Sequence, residues 1–159
     1  MDSRHIQFRY TSAFTDSRLA QLCELFRAAA FWAKDRRPED MKRAIAHSYP
    51  EVTAWDNERL IGFSRAPSDG LFRATIWDVV LHPDYQGSGL GRRLVETLIA
   101  HPHMNQVERT YLMTTHKQSF YERIGFEQNS TTTMVLHNKP IGECLIEVAA
   151  ERENADVSA

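Results

Sequence analysis

The sequence predicts an α/β (α+β) fold: one domain over residues 1–150, with a mixed central sheet of about six or seven strands flanked by about four or five helices, and a frayed tail over 151–159. Three observations predict it. Stretches with apolar residues at every second position interleave with stretches where they recur every three or four. From Val52 to Leu81 strand patterns follow one another, separated only by turn residues. Between Leu81 and Val107 a glycine loop and one helix join two strands, a crossover that makes those strands parallel neighbours.

Along the chain, His5–Thr11 alternates Ile6, Phe8 and Tyr10 against Gln7 and Arg9, a half-buried strand. Asp16 or Ser17 caps a helix running to about Ala30, with Leu19, Leu22, Leu25 and Phe26 on one face. Phe31 and Trp32 follow in a connection, either closing the core or lining a substrate entrance. Pro38 opens a second helix, which ends near His47. Val52–Asp56 and Arg59–Ala66 read as a hairpin turning at Asn57-Glu58, and Pro67–Gly70 is a second turn. Leu71–Leu81 completes the meander. After the glycine loop, Leu90, Leu94, Val95, Leu98 and Ile99 share one helical face. Val107–Thr114 is a further strand, Lys117–Ile124 a short helix halted by Gly125, Thr131–His137 a β-branched strand, and Ile141 to about Glu151 a last helix.

Composition excludes several functions. A formal charge of −2 with scattered basic residues argues against a nucleic-acid binder. The sequence shows no apolar run of membrane-spanning length and no signal-peptide segment at its start, so a soluble cytoplasmic protein is expected, with the plastid stroma as the alternative compartment. Cys23 and Cys144 lie in helical, apolar contexts, the setting of buried thiols. His101 and His103 flank Pro102 with no carboxylate or cysteine at ligand spacing, so no metal is expected.

The loop Gln86-Gly87-Ser88-Gly89-Leu90-Gly91 carries the chemistry. It delivers a helix N-terminus, whose unsatisfied N–H groups carry partial positive charge, and glycines let an anion approach the backbone. It is not a P-loop, since no Lys-Ser/Thr follows Gly91, and its third glycine comes one position early for a dinucleotide fingerprint. The pattern resembles instead the Gln/Arg-x-x-Gly-x-Gly/Ala signature of the GNAT superfamily of acetyl-CoA-dependent N-acetyltransferases. Ser119-Phe120-Tyr121-Glu122-Arg123-Ile124-Gly125-Phe126 is similar to a second GNAT element, in the expected order. IWDVVLHPDYQGSGLGRRLVETL and NSTTTMVL further resemble the cyanobacterial and plastid branch.

That resemblance implies acetyl-CoA as cosubstrate, no metal, and a primary-amine acceptor on a protein or a small molecule, in a monomer or homodimer. It implies that Val79, Val80 and Leu81 pair with the pantetheine arm. Gln86, Gly87, Ser88, Gly89, Leu90, Gly91 and Arg92 would surround the pyrophosphate, and Tyr121 would protonate the leaving thiolate. Thr115 stands where many relatives carry an asparagine that contacts the cofactor arm. Asp78 is the best-placed candidate for the base, against the alternative of a structural carboxylate at the sheet. In a regular strand Trp77 and Asp78 would face opposite sides, so both line one pocket only if a bulge intervenes. Phe31, Trp32 and Trp77 are the candidate acceptor-binding aromatics. A GNAT-like module that binds CoA without catalysis is the non-enzymatic alternative.

Overall fold

The computed structural model describes residues 5–11, 13–131 and 133–138, and the chain divides into two units, Met1–Glu127 and Gln128–Ala159. In the first unit, β1 (Gln7–Tyr10), α1 (Asp16–Ala29) and α2 (Pro38–Ala46) precede the hairpin of β2 (Glu51–Asp56) and β3 (Arg59–Arg65). Then come β4 (Arg73–Thr75), β5 (Trp77–Leu81), α3 (Leu90–Ile99), α4 (Pro102–Asn105), β6 (Arg109–Tyr111) and α5 (Gln118–Glu122). Short 3-10 turns stand at Phe31–Ala33 and Pro83–Tyr85.

The hairpin forms as its sequence requires. Asn57 turns it at φ 51, a conformation that asparagine tolerates through its short polar side chain. The cap of α1 is Thr15 and not Asp16 or Ser17, its side chain accepting from the Arg18 N–H. Alternation along β2 then divides two cores between the faces of the sheet. Val52 and Ala54 pack with Leu90, Leu94, Val95 and Leu98 of α3. On the other face, Trp55 packs with Leu22 and Phe26 of α1 and Met41 and Ile45 of α2.

One expectation fails in an informative way. The meander strand expected over Leu71–Leu81 is two strands, β4 and β5, and they belong to different sheets. Strands β1, β2, β3 and β5 make a four-stranded antiparallel sheet, whereas β4 pairs in parallel with β6. The six strands among the described residues thus form two sheets, and the parallel crossover partner of β6 is β4, not β5.

In the second unit, the described residues from Gln128 onward hold no helix or strand, so the strand expected at Thr131–His137 is not formed among them. Its β-branched run lacks the buried face that turns strand propensity into a strand: Met134, Val135 and Leu136 are all exposed. The helix expected at Ile141–Glu151, Cys144 and the tail lie outside the described residues.

Candidate active site

The split between β4 and β5 creates the site. The Ile76 N–H donates to the Tyr111 carbonyl at 2.8 Å, and beyond it the chain leaves β6 and pairs with β3 alone. Strand β5 is therefore a sheet edge, with one side paired to β3 and the other unpaired by any strand among the described residues. Just past that departure β5 carries a bulge against β3. Between the pairs Phe63–Val80 and Arg65–Trp77, β3 advances two residues and β5 three, and Asp78 takes φ 55. The extra residue cancels one step of alternation, so Trp77 shares a row with Arg65, and the Arg65 guanidinium holds the neighbouring Asp78.

At the far end of β5 the glycine loop begins. Gln86 donates from its side-chain amide to the Leu81 carbonyl at 3.0 Å, tying the loop to the strand, and the Ser88 hydroxyl donates to the Tyr85 carbonyl at 2.6 Å. Gly87 and Gly89 sit at φ 75 and 81, where side-chain-bearing residues are strained, and a Cβ at either would meet nothing within 4 Å. The space in front of their backbone is open. Gly89 caps α3, whose first bond runs from the Arg93 N–H to the Gly89 carbonyl, leaving the N–H groups of Leu90, Gly91 and Arg92 without helical partners. Leu90 is fully buried and anchors this turn. Arg92 pairs with Glu96 at 2.6 Å, and Arg93 lies 4.8 Å over the Phe8 ring.

Tyr121 on α5 is packed against the α3-side core, edge-on to Phe120 and Phe126. Phe120 also lies 3.7 Å from where a Cβ on Gly91 would stand, which brings the second motif against the first. Among the described residues no group bonds to the Tyr121 hydroxyl, and burial pushes its pKa up, so it keeps its proton at neutral pH. Thr115 is exposed, and its carbonyl accepts from the Gln118 amide at 3.0 Å.

Asp78 does not stand as a free base. Its side chain is 3% exposed, with one oxygen 2.9 Å from Arg36 Nη1 and the other 2.7 Å from Arg65 Nε. To take a proton from an amine it would have to give up ion pairs to which both oxygens are committed. Sequence reading missed the clamp because the arginines lie 42 and 13 residues from Asp78. The clamp has an expected energetic signature. Arg65→Met leaves a buried carboxylate short of a partner and should lower unfolding free energy by about 3 kcal/mol. Removal of Arg36, at 38% exposure, also leaves one oxygen of that carboxylate without its donor but opens it to water, and should cost less, about 1 to 2 kcal/mol. Urea denaturation of the two variants measures the contrast.

Phe31 and Trp32 stack edge-on at 5.2 Å and are 46% and 45% exposed, while Trp77 is 41% exposed. They do not close the core. His101 and His103 are engaged separately: His101 Nδ1 accepts from the His103 N–H at 3.0 Å, and His103 Nε2 lies 3.0 Å from the Ser68 carbonyl. Among the described residues, no cluster of three or more His, Cys, Asp or Glu is placed to hold a metal.

Comparison with known proteins bears on the family and the fold. Residues 49–128 match the family model described as acetyltransferase (GNAT) domain. An N-acetyltransferase ycf52-like protein of Prochlorococcus marinus is 36% identical over 124 residues, covering 74% of this chain and 69% of that protein. Two plant proteins match shorter stretches. A soybean protein named histone acetyltransferase TAP1 is 44% identical over 45% of this chain and 32% of its own length. A rice protein named serotonin N-acetyltransferase 2, chloroplastic, is 38% identical over 57% of this chain and 48% of its own length. Among solved structures, a GNAT-family acetyltransferase of Streptococcus pneumoniae superposes with a TM-score of 0.72 at 22% identity, covering 85% of this chain and 99% of that one, a likeness of fold.

Proposed function

Because the chain belongs to the GNAT family of N-acetyltransferases, we propose that it passes the acetyl group of acetyl-CoA directly to a primary amine, with a protein lysine or N-terminal amine as acceptor. The observation that carries this reading is the free edge of β5, running from the Asp78 bulge to the glycine loop. An extended pantetheine arm can pair with main-chain groups along Val79, Val80 and Leu81 as an added strand would, the Leu81 carbonyl excepted, since the Gln86 amide already bonds it. Its diphosphate then meets the loop from Gln86 through Arg92, where unbonded N–H groups and the α3 dipole favour an anion. The open space in front of Gly87 and Gly89 suits that approach. Acetyl-CoA supplies an activated thioester; this chain supplies position, an acid and a surface for the acceptor.

Tyr121 serves as the acid, its protonated hydroxyl giving a proton to the leaving sulfur. The hydroxyl of Thr115 contacts the cofactor arm in place of the family asparagine. Asp78, fixed by its two arginines, holds the bulge. Phe31, Trp32 and Trp77 form the acceptor surface. Their half-exposure favours an acceptor that is part of a larger chain, since a small amine is best held in an enclosed pocket. The soybean relative's name supports a protein acceptor. Aromatic amines remain the second reading, because the same three rings can stack on an indole and the rice relative is named for one. No helix among the described residues is long and apolar enough to cross a membrane. The cyanobacterial and chloroplastic relatives support a bacterial cytosol or plastid stroma as the compartment.

Mass spectrometry after incubation with acetyl-CoA and both a peptide library and a set of aromatic amines tests the acceptor. Acetylated peptides with little acetylated indole amine are the expected result. The reverse would overturn the protein-acceptor reading, and cofactor binding without transfer to any amine would leave a CoA-binding module.

A further inference from the structure

This inference rests on the acetyl-transfer reading above and supplies the one chemical role which that reading leaves vacant, the proton acceptor. Glu51, the first residue of β2, is 3% exposed. It pairs across the sheet with Arg65, which pairs in turn with Trp77, so one row runs from Glu51 to the bulge. Arg65 is committed within that row: Nε bonds Asp78 at 2.7 Å and Nη1 bonds the Ser48 hydroxyl at 2.8 Å. No donor among the described residues lies on the Glu51 carboxylate.

We propose that Glu51 accepts the proton of the acceptor ammonium, through water held along the row from Glu51 to Trp77. Two buried carboxylates stand about Arg65, Glu51 within the row and Asp78 beside it, and they are not equivalent. Asp78 has an arginine on each oxygen, whereas Glu51 is free to change its protonation without breaking a bond. Burial pushes the Glu51 carboxyl up from its ordinary 4.5 to about 7, with Arg65 the charge that opposes the shift. A base poised there is matched to work at neutral pH. Among the described residues, the charged groups around it are these. Arg65 faces it from β3, Asp78 and Arg36 lie beyond Arg65, and on the β1 side the Thr11 N–H donates to the Glu51 backbone carbonyl. Arg9 of β1 and Arg18 of α1 lie over the Trp55 ring, further along β2.

The step balances. One proton passes from the ammonium through water to Glu51. The freed nitrogen lone pair forms the C–N bond as the C–S bond breaks, and the sulfur takes the Tyr121 proton. The second proton lost by nitrogen restores Tyr121, and Glu51 returns its own to solvent, so one proton is released for each amide formed.

The test is the pH dependence of kcat/KM for wild type, Glu51→Gln and Asp78→Asn. Each is assayed with a lysine peptide and with its aminooxy analogue, whose amine is unprotonated at neutral pH. Wild type should lose about tenfold per pH unit below about 7 with the lysine peptide. Glu51→Gln should lose that break and run about a hundredfold slower at neutral pH, yet acetylate the aminooxy peptide near the wild-type rate. Asp78→Asn should keep the break. A Glu51→Gln enzyme that keeps it, or that is equally impaired with both peptides, overturns the proposal. If the glutamine variant does not fold, Glu51→Asp should keep the break at a lower rate, and its loss there is equally damaging.

Stability gives a readout free of turnover. A carboxyl with a raised folded pKa contributes stability that is full below 4.5 and lost as pH rises to about 7, and Glu51→Gln should remove that decline. A decline unchanged in the variant would place the titration elsewhere and overturn the proposal. Wild type inactive on every amine overturns the acetyl-transfer reading and this one together; active wild type with an unaltered Glu51→Gln profile overturns this one alone.

Discussion

Replacing Gly89 with glutamate is expected to abolish acetyl-CoA binding. Two effects act in one direction. Gly89 holds φ 81, which costs a residue with a Cβ about 1 kcal/mol or more. The larger effect is charge: a carboxylate about 4 Å from a diphosphate in a partly screened site is repelled by about 4 kcal/mol, or about a thousandfold in affinity. Gly89→Ala separates the two, because its Cβ meets open space and carries only the strain. Calorimetric titration should show weakened binding for alanine and none for glutamate. Unchanged affinity in the glutamate variant would mean that the diphosphate does not lie at this loop.

Tyr121→Phe should divide chemistry from binding. The ring keeps its packing against Phe120 and Phe126, and the hydroxyl it loses has no partner among the described residues. Folding stability should therefore change by less than about 0.5 kcal/mol. Turnover should fall by about a hundredfold to ten-thousandfold, the range for a lost general acid, with acetyl-CoA affinity almost unaltered. Burial raises the hydroxyl's pKa, so the wild-type acid is protonated throughout the working range and its loss should depress the rate evenly across it. Equal losses in turnover and binding would remove Tyr121 from the acid role.

How much of this was legible in the sequence depends on the distance over which each feature is determined. The glycine loop, α3 and the hairpin at Asn57 are set by residues within a few positions of one another, and the pattern showed them. The open edge of β5 was not legible as such. Leu71–Leu81 reads as one strand because its apolar residues run on, while the break at Ile76 is a change of partner, from β6 for β4 to β3 for β5. Asp78 showed as a buried carboxylate between Trp77 and Val79, but the arginines that occupy it come from other elements. Glu51 gave no signal. It stands one residue outside the strand expected from Val52, and only the cross-strand register puts it in line with the bulge. Thr131–His137 shows the opposite failure, a strand pattern without a partner among the described residues.

The central claim is that the free edge of β5 and the loop after Gln86 hold acetyl-CoA between them. Its most direct test is a crystal structure of the chain grown with acetyl-CoA. The pantetheine arm should lie along Val79–Leu81, with the diphosphate within hydrogen-bond distance of N–H groups between Gly87 and Arg92 and the thioester near Tyr121. A ligand bound elsewhere, with that edge and loop left bare, would contradict the claim.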